Sequence, residues 1–235
     1  PLPTTPAVRT GALANGLQYF IRENQEPANR AELRLVVRAG SVLEDDDQIG
    51  IAHLLEHMAF NGTENFEKQE LVGFMESIGM QLGPGINAST SFDETVYMLR
   101  VPTDVPDNMA TAFQILEDWA HGLTLDPAEV DQERSVVIEE WRGGQGASSR
   151  VRDRQIPVIF RDSKYASRIP IGTPESIEGF EQSALERFYR DWYRPDLMAV
   201  IAVGNFDADE IENLVRAHFE PLENPDDPRE RIEFT

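Results

Sequence analysis

Apolar and polar residues alternate along several stretches of the chain, and this two-residue period predicts β-strands. The run GLQYFIRE follows a turn at 14–16 and alternates over its whole length. The run DLMAVIAVGNF is almost entirely apolar, which indicates a buried strand. The strands predicted in this way are 16–23, 31–41, 95–101 and 196–206, with a further short run between a Gly-rich turn at 79–86 and residue 95.

Apolar residues recur every three or four positions elsewhere, and this period predicts amphipathic helices. Ile51, Leu54, Leu55 and Met58 show it in the first of these segments. Asp104, Asp126 and Asp207 are expected to cap helices, with Pro127 at a first helical position, while Gly79 and Gly122 are expected to end them. The predicted helices are 48–59, 68–79, 104–123, Pro127 to the Gly143-Gly144 pair, part of 149–160, 183–193 and 207–219.

The order of these elements is β-β-α-α-β-β-α-α-α-α-β-α. Grouped strands with helices between them favour an α+β fold over strict βαβ winding. The length of 235 residues is enough for one large domain or two small ones. We expect one domain over residues 1–222 and a polar linker or truncated end at 223–235.

The composition narrows the range of partners. A net charge of −21 argues against nucleic acid and anionic membranes, because phosphate binding needs clustered Lys and Arg. It favours a solvated acidic surface or an acidic cavity that attracts basic peptides. No apolar run is long enough for a membrane span, and no signal peptide is predicted at the N-terminus. The absence of cysteine excludes disulfides and thiolate metal sites.

The segment IAHLLEHMAFNGT carries the strongest chemical signal, because two of the four histidines lie here. His53 and His57 are four residues apart, so a helix places both on one face, where they can bind one metal ion. Imidazole nitrogens suit zinc. Glu56 lies beside that face, where it can accept a proton from a zinc-activated water. The pattern H-x-x-E-H is the motif of inverzincins.

A catalytic zinc needs a third protein ligand, and the sequence pattern leaves its identity open. His121 and His218 are candidates, although both lie at helix C-termini, where a cation is favourable without any metal. The segment DQERSVVIEEW places Glu133 and Glu140 two helical turns apart on one face. Two valines between them, at 136 and 137, are expected to pack inward, and a metal would compensate the buried charge. The pattern alone fits a solvated face of the helix equally well.

The sequence contains the blocks HLLEHMAFNGT, NASTSFDETVY, ERSVVIEEW, PIGTPESI and FYRDWYRPDLMAVIAVGNF, in this order. Together these five blocks resemble the pitrilysin, or insulinase-like, zinc metallopeptidases. The resemblance covers about residues 10–220 and is greatest to large bacterial envelope peptidases. It implies a mixed, largely antiparallel β-sheet packed against several α-helices, and one Zn²⁺ per chain.

The resemblance also implies a role for each matching residue. His53 and His57 match the histidine ligands, and Glu56 matches the general base. Glu140 matches the distal zinc ligand, and Glu133 matches an acidic residue that supports the site without binding the metal. In addition, Asn87 and Ala88 match the edge strand that pairs with the backbone of a peptide substrate; without the family they indicate only a turn before a strand.

The implied activity is that of a zinc-dependent endopeptidase acting on peptides or small proteins. The chain covers only the first domain of such enzymes, so a C-terminal half-domain or a partner subunit of similar fold is also implied. One alternative is a non-catalytic scaffold or binding subunit of the same fold; another is a zinc-binding half that needs the C-terminal half for activity. The implied location is the bacterial periplasm or cell envelope, while the cytoplasm stays compatible with the sequence.

Overall fold

A computed structural model describes residue 5, residues 7–80 and residues 87–234, and in this part of the chain eight α-helices accompany one six-stranded sheet. The strands are β1 (Arg9–Ala12), β2 (Gln18–Glu23), β3 (Arg30–Val37), β4 (Ala88–Thr90), β5 (Thr95–Pro102) and β6 (Met198–Gly204). The helices are α1 (Ile51–Met58), α2 (Lys68–Ser77), α3 (Asn108–His121), α4 (Pro127–Gly143), α5 (Ala147–Ile159), α6 (Pro174–Gly179), α7 (Gln182–Trp192) and α8 (Ala208–Phe219).

The strand order across the sheet is β1-β2-β6-β3-β5-β4. The pair β2–β6 is parallel and the other four pairs are antiparallel, so the predicted mixed, largely antiparallel sheet is confirmed. Alternate residues of β3, namely Leu33, Leu35 and Val37, are fully buried, while Arg34 between them is exposed. The sheet therefore buries one face under the helices, which is the α+β arrangement that the element order predicts.

Two short elements, β1 and α6, have no periodic pattern of apolar residues that would predict them. Strand β1 has four residues and is mostly exposed, so no alternation marks it. Helix α6 has six residues, which is too few to show a helical period, although Thr173 caps it and Pro174 begins it. The Gly-rich turn predicted at 79–86 lies largely outside the described residues, which omit 81–86.

The prediction that Asp104 caps the third helix is wrong. Helix α3 begins at Asn108, after Asp107, whose side chain makes no capping hydrogen bond. Pro106 explains the shift, because a proline disfavours helical backbone at the preceding residue, here Val105. The other two predicted caps are confirmed: the side chain of Asp126 accepts from the backbone of α4, and that of Asp207 accepts from the backbone of α8.

Helix α1 begins later than predicted, at Ile51, because Gly50 has a φ of 91°. The buried carboxyl group of Glu44 stabilises this start: its oxygens accept hydrogen bonds from Gly50 N at 3.1 Å and Ala52 N at 2.9 Å. Gly172, with φ of 68°, packs so closely that a Cβ on it would lie 2.8 Å from Gly50 Cα. Residues distant in sequence thus fix where α1 begins.

The chain after α8 contains no helix or strand in the described residues 223–234, but it packs back on the domain. The Arg229 guanidinium pairs with Asp45, at 2.8 Å and 2.6 Å, and Arg231 Nε donates to the carbonyl of Arg38. The separation of 223–235 as a linker or truncated end stays a prediction. None of the helices in the described ranges combines the length and apolar character of a membrane span.

Candidate metal centre

Helix α1 presents His53 and His57 side by side, with their ring centroids 4.7 Å apart. Leu54, Leu55 and Met58 are buried in the core, and this apolar stripe fixes the rotation of the helix about its axis. Both imidazoles are then held at the boundary between core and solvent, where their side chains are 13% and 16% exposed. The predicted i, i+4 juxtaposition is present.

Helix α4 brings a carboxylate to the same point. Glu140 Oε2 lies 3.4 Å from His57 Nε2 and 3.7 Å from His53 Nε2. The Asp126 cap sets the start of α4, and the fully buried Val137 faces the core, as predicted. The same expectation for Val136 is wrong: it is 51% exposed, since it is one position, about 100° of helix rotation, away from Val137.

The three side chains fit a zinc ion. Ligand atoms at about 2.0–2.2 Å in a tetrahedral arrangement lie roughly 3.3–3.6 Å apart, close to the distances seen here. The ligand atoms of His53, His57 and Glu140 all lie within 4.8 Å of one another, the one such group of His and acidic residues in the described part of the chain. Glu140 Oε2 is also buried without a hydrogen-bond partner, a cost that a cation would remove.

Glu133 is not one of these three residues, but it contacts the other ring nitrogen of His57, Nδ1. Its Oε1 is 2.8 Å from His57 Nδ1, and its Oε2 accepts a hydrogen bond from Asn61 Nδ2 at 2.9 Å. A carboxylate on Nδ1 favours the tautomer that leaves Nε2 free to bind a metal. Asn61 also donates to the carbonyl of His57, so it links the end of α1 to α4.

The surroundings shift the pKa values of the two imidazoles in opposite directions. Burial, together with the charge of His57, lowers the pKa of His53 to about 4, which keeps this imidazole neutral. Burial alone would also lower the pKa of His57. The hydrogen bond with Glu133 and the nearby Glu140 carboxylate outweigh burial and raise the pKa of His57 to about 9. The cluster thus favours a positive charge between the histidines and Glu140.

Glu56 projects from α1 next to the metal-binding face, as predicted, and is 7% exposed. Its Oε2 accepts a hydrogen bond of 2.5 Å from Thr90 Oγ1 on β4. Burial raises the pKa of the Glu56 carboxyl, whereas the Thr90 hydrogen bond and the charge of His57 act in the opposite direction. The raised pKa makes the Glu56 carboxylate a better proton acceptor than an exposed glutamate.

The predicted substrate-pairing residues lie at the edge of the sheet. Ala88 begins β4, the last strand in the sheet order, and pairs with Tyr97 on one side only. Asn87 precedes it and accepts a hydrogen bond from Met98 N through its carbonyl. The side-chain oxygen and nitrogen of Asn87 are both buried without partners. Among the described residues, which omit 81–86, no strand pairs with the other edge of β4; this edge lies beside Glu56, with Asn87 held at its start.

The two other histidines lie away from this centre. His218 Nδ1 is 2.7 Å from Glu117 Oε2, in a pair that joins α8 to α3. His121 ends α3 and lines a separate cavity with Tyr189 and Tyr193. Both are thus ruled out as third ligands in this conformation. The residues that sequence analysis missed are Thr90, Asn61 and Glu44, whose contacts cross between elements and leave no spacing signal.

Family models and individual relatives both place the chain in the same family. The family model described as Insulinase (Peptidase family M16) matches residues 19–168, and the model described as the Peptidase M16 inactive domain matches 180–235. The probable zinc protease PqqL of Haemophilus influenzae is 40% identical over 224 residues, which are 95% of this chain and 24% of that protein. The zinc protease PQQL-like protein of Arabidopsis thaliana is 40% identical over 219 residues, or 93% of this chain and 23% of that protein.

A solved structure agrees with these relatives. The first half of the periplasmic protease PqqL from Escherichia coli superposes with a TM-score of 0.91 at 34% identity, over 98% of this chain and 49% of that one. The chain therefore spans about a quarter of the length of the curated relatives that it matches.

Proposed function

Because the chain belongs to peptidase family M16, the insulinase family, we propose that it is the zinc-binding catalytic domain of a metalloendopeptidase. His53, His57 and Glu140 would hold one zinc ion, and Glu133 would orient His57. The observation that carries the proposal is the convergence of these side chains from two helices, with Glu56 beside them and, next to it, a strand edge that no other described strand pairs with.

Zinc, when bound, supplies a Lewis acid that polarises a peptide carbonyl and makes water more acidic. The chain's own groups would do the rest. Glu56 would accept a proton from the attacking water and later deliver it to the leaving amine. The hydrogen bond from Thr90 would keep the Glu56 carboxylate aimed at that position.

The free edge of β4 would hold the substrate. An extended peptide could add to the sheet beside Ala88, with Asn87 fixing the start of the pairing. Binding by backbone groups tolerates many side chains, which suits an enzyme acting on peptides or small proteins. A C-terminal half-domain or partner subunit of similar fold would close over the substrate, so we expect the 235-residue chain alone to hydrolyse peptides weakly.

A scaffold subunit of the same fold is the competing function. Such a subunit has no need for a complete set of ligands, whereas here both histidines, Glu56 and Glu140 are all present and converge. This completeness favours the enzyme. The periplasm or cell envelope of a bacterium is the proposed location, as the PqqL relative from Escherichia coli is described as periplasmic.

The first test is metal content and peptide hydrolysis for the wild type, Glu140→Gln and Glu56→Gln. We expect about one zinc per wild-type chain, a sharp loss in Glu140→Gln, and retained zinc without turnover in Glu56→Gln. A wild type that binds no added zinc would support the scaffold function. A Glu56→Gln variant with wild-type turnover would refute the general-base assignment alone.

A further inference from the structure

A cavity of about 600 Å³ opens directly beside the candidate metal centre. His53, Thr90 and Glu140 form one side of it. The rest of its lining has no part in metal binding and includes Trp141, Arg152, Ile169 and Ile171. A side chain of a peptide lying along β4 would enter this cavity next to the bond to be hydrolysed.

Arg152 gives this part of the cavity lining a positive charge. It lies on α5, three positions after the buried Ser149 and four before the buried Ile156, and its side chain lines the cavity while remaining 55% exposed. Its ion pair with the adjacent Asp153 is long, at 3.7 Å, and exposed, which makes it weak. The guanidinium is therefore able to pair with a carboxylate that enters the cavity.

The surrounding sequence has the opposite charge to the rest of the chain. Seven of the 21 Lys and Arg residues lie between 142 and 168, whereas only two of the 42 Asp and Glu residues do. Helix α5 and its flanking segments thus form a basic region in a chain of net charge −21. Opposite charge concentrated at one wall of a cavity attracts ligands of the complementary sign.

The other wall residues define the shape of a suitable ligand. Trp141 offers a flat apolar surface, and Ile169 and Ile171 add aliphatic contacts. A glutamate or aspartate side chain has both features that this wall can use, an aliphatic stem and a terminal carboxylate. A lysine would place its ammonium group near Arg152 and is disfavoured.

We propose that this cavity is a specificity subsite for an acidic side chain of the substrate, and that Arg152 binds its carboxylate. The proposal rests on the proposed peptidase function and names the substrate class of the same site. It also reverses the expectation from net charge, which favours basic peptides. The overall charge describes the whole surface, whereas selectivity depends on the groups beside the metal centre.

The test measures binding rather than turnover. Zinc-loaded Glu56→Gln protein is titrated into fluorescein-labelled decapeptides of Gly, Ser and Leu, in which one Glu, Gln or Lys occupies successive positions. At one position we expect the Glu peptide to bind about three- to fivefold more tightly than the Gln peptide, the size expected of one partly exposed ion pair. The Lys peptide should bind most weakly, and high salt should reduce the difference.

Three variants separate charge from structure. Arg152→Gln should remove the preference for Glu, and Arg152→Lys should keep part of it. Arg154→Gln, which removes an exposed arginine of the same helix that does not line the cavity, should keep it in full. Equal binding of the three peptides, undetectable binding of all of them, or an unchanged preference in Arg152→Gln would each overturn the subsite.

Failure of the subsite can be told from failure of the proposed function. Hydrolysis of Glu, Gln and Lys peptides at equal rates by the wild type would retain the peptidase and reject the subsite. An Arg152-dependent preference for Glu in a protein that neither binds zinc nor hydrolyses peptides would reject the peptidase. The cavity would then be a binding site for acidic peptides.

Discussion

Thr90 Oγ1 donates a 2.5 Å hydrogen bond to Glu56 Oε2, and this contact joins the edge strand to the helix of the candidate metal centre. Thr90 is the last residue of β4, and Glu56 lies one position before His57 on α1. The position at which a substrate strand would bind and the proposed proton acceptor are therefore held in register by one side chain.

Replacement of Thr90 by valine removes this donor with little change in shape. We expect kcat to fall about tenfold, because the Glu56 carboxylate loses its fixed direction, while KM and zinc content change little. Steady-state kinetics with metal analysis provides the measurement. Thr90→Ser should restore most of the rate, and Ser89→Ala, at an exposed neighbour on the same strand, should leave it unchanged. Equal effects of the valine and serine variants would contradict the role of the hydroxyl.

Glu133→Gln tests the support of His57. The glutamine cannot hold His57 Nδ1–H as strongly as a carboxylate, so zinc affinity should fall about 10- to 100-fold. Competition with a chromogenic chelator measures this affinity. Glu139→Gln is the matched control, since Glu139 lies on the same helix, is exposed and pairs with Arg142. A loss of the same size in the control would mean that net charge, and not the contact with His57, sets the affinity.

Glu44 makes stability depend on pH. Burial raises the pKa of its carboxyl to about 8, against the hydrogen bonds from Ala52 and Gly50 and the charge of Arg168. The folded protein therefore holds this proton at pH values where the unfolded chain, with an ordinary pKa near 4.5, has lost it. The contribution of Glu44 to the free energy of unfolding is highest below pH 4.5 and falls as pH rises toward 8.

The measurement for Glu44 is urea unfolding of the wild type and Glu44→Gln at several pH values between 5 and 8. Relative to the variant, the wild type should lose about 1 kcal/mol per pH unit across this window. Above pH 8 the difference should stop changing. A difference between the two proteins that stays constant with pH would show that Glu44 is ionised throughout.

Gly172→Ala tests the contact that sets the start of α1. The added methyl group would meet Gly50, and alanine is strained at a φ of 68°, so we expect a loss of about 1–3 kcal/mol in the free energy of unfolding. Gly179→Ala is the control, because a Cβ at Gly179 meets nothing within 4 Å. Denaturant titration of both variants measures the loss. Equal stabilities of the two variants would argue against the steric contact.

The parts of the fold with strong local signals are predictable from sequence. Helix α4 has an Asp-Pro start and a Gly-Gly end, and both mark its limits. The start of α3 does not follow from cap chemistry alone, because Asp104 is suited to a cap while Pro106 disfavours helical backbone at Val105. Strand β1 pairs with β2 by backbone hydrogen bonds at the sheet edge, and such pairing needs no apolar pattern.

The residues of the candidate site likewise fall into those predictable from local sequence and those placed by tertiary contacts. The pattern H-x-x-E-H lies within one helix, so its geometry follows from the helical repeat. Residue spacing does not distinguish Glu140 from Glu133 as the ligand, because both lie on one face of α4. Their distances from α1 depend on how the two helices pack, so only the family resemblance favours Glu140. Thr90, Asn61 and Arg152 come into place through sheet edges and helix packing, which leave no mark in residue spacing.

The three-residue length of β4 has a consequence for self-association. A long, open strand edge invites pairing with the same edge of another copy and so promotes aggregation. Three residues offer too few backbone hydrogen bonds to hold two protein copies together. An incoming peptide meets the same shortage, so side-chain contacts beyond the strand must add to the affinity that backbone pairing supplies. The short length of β4 thus disfavours self-association of the folded chain. Selectivity among peptides then depends on the cavity beside this strand.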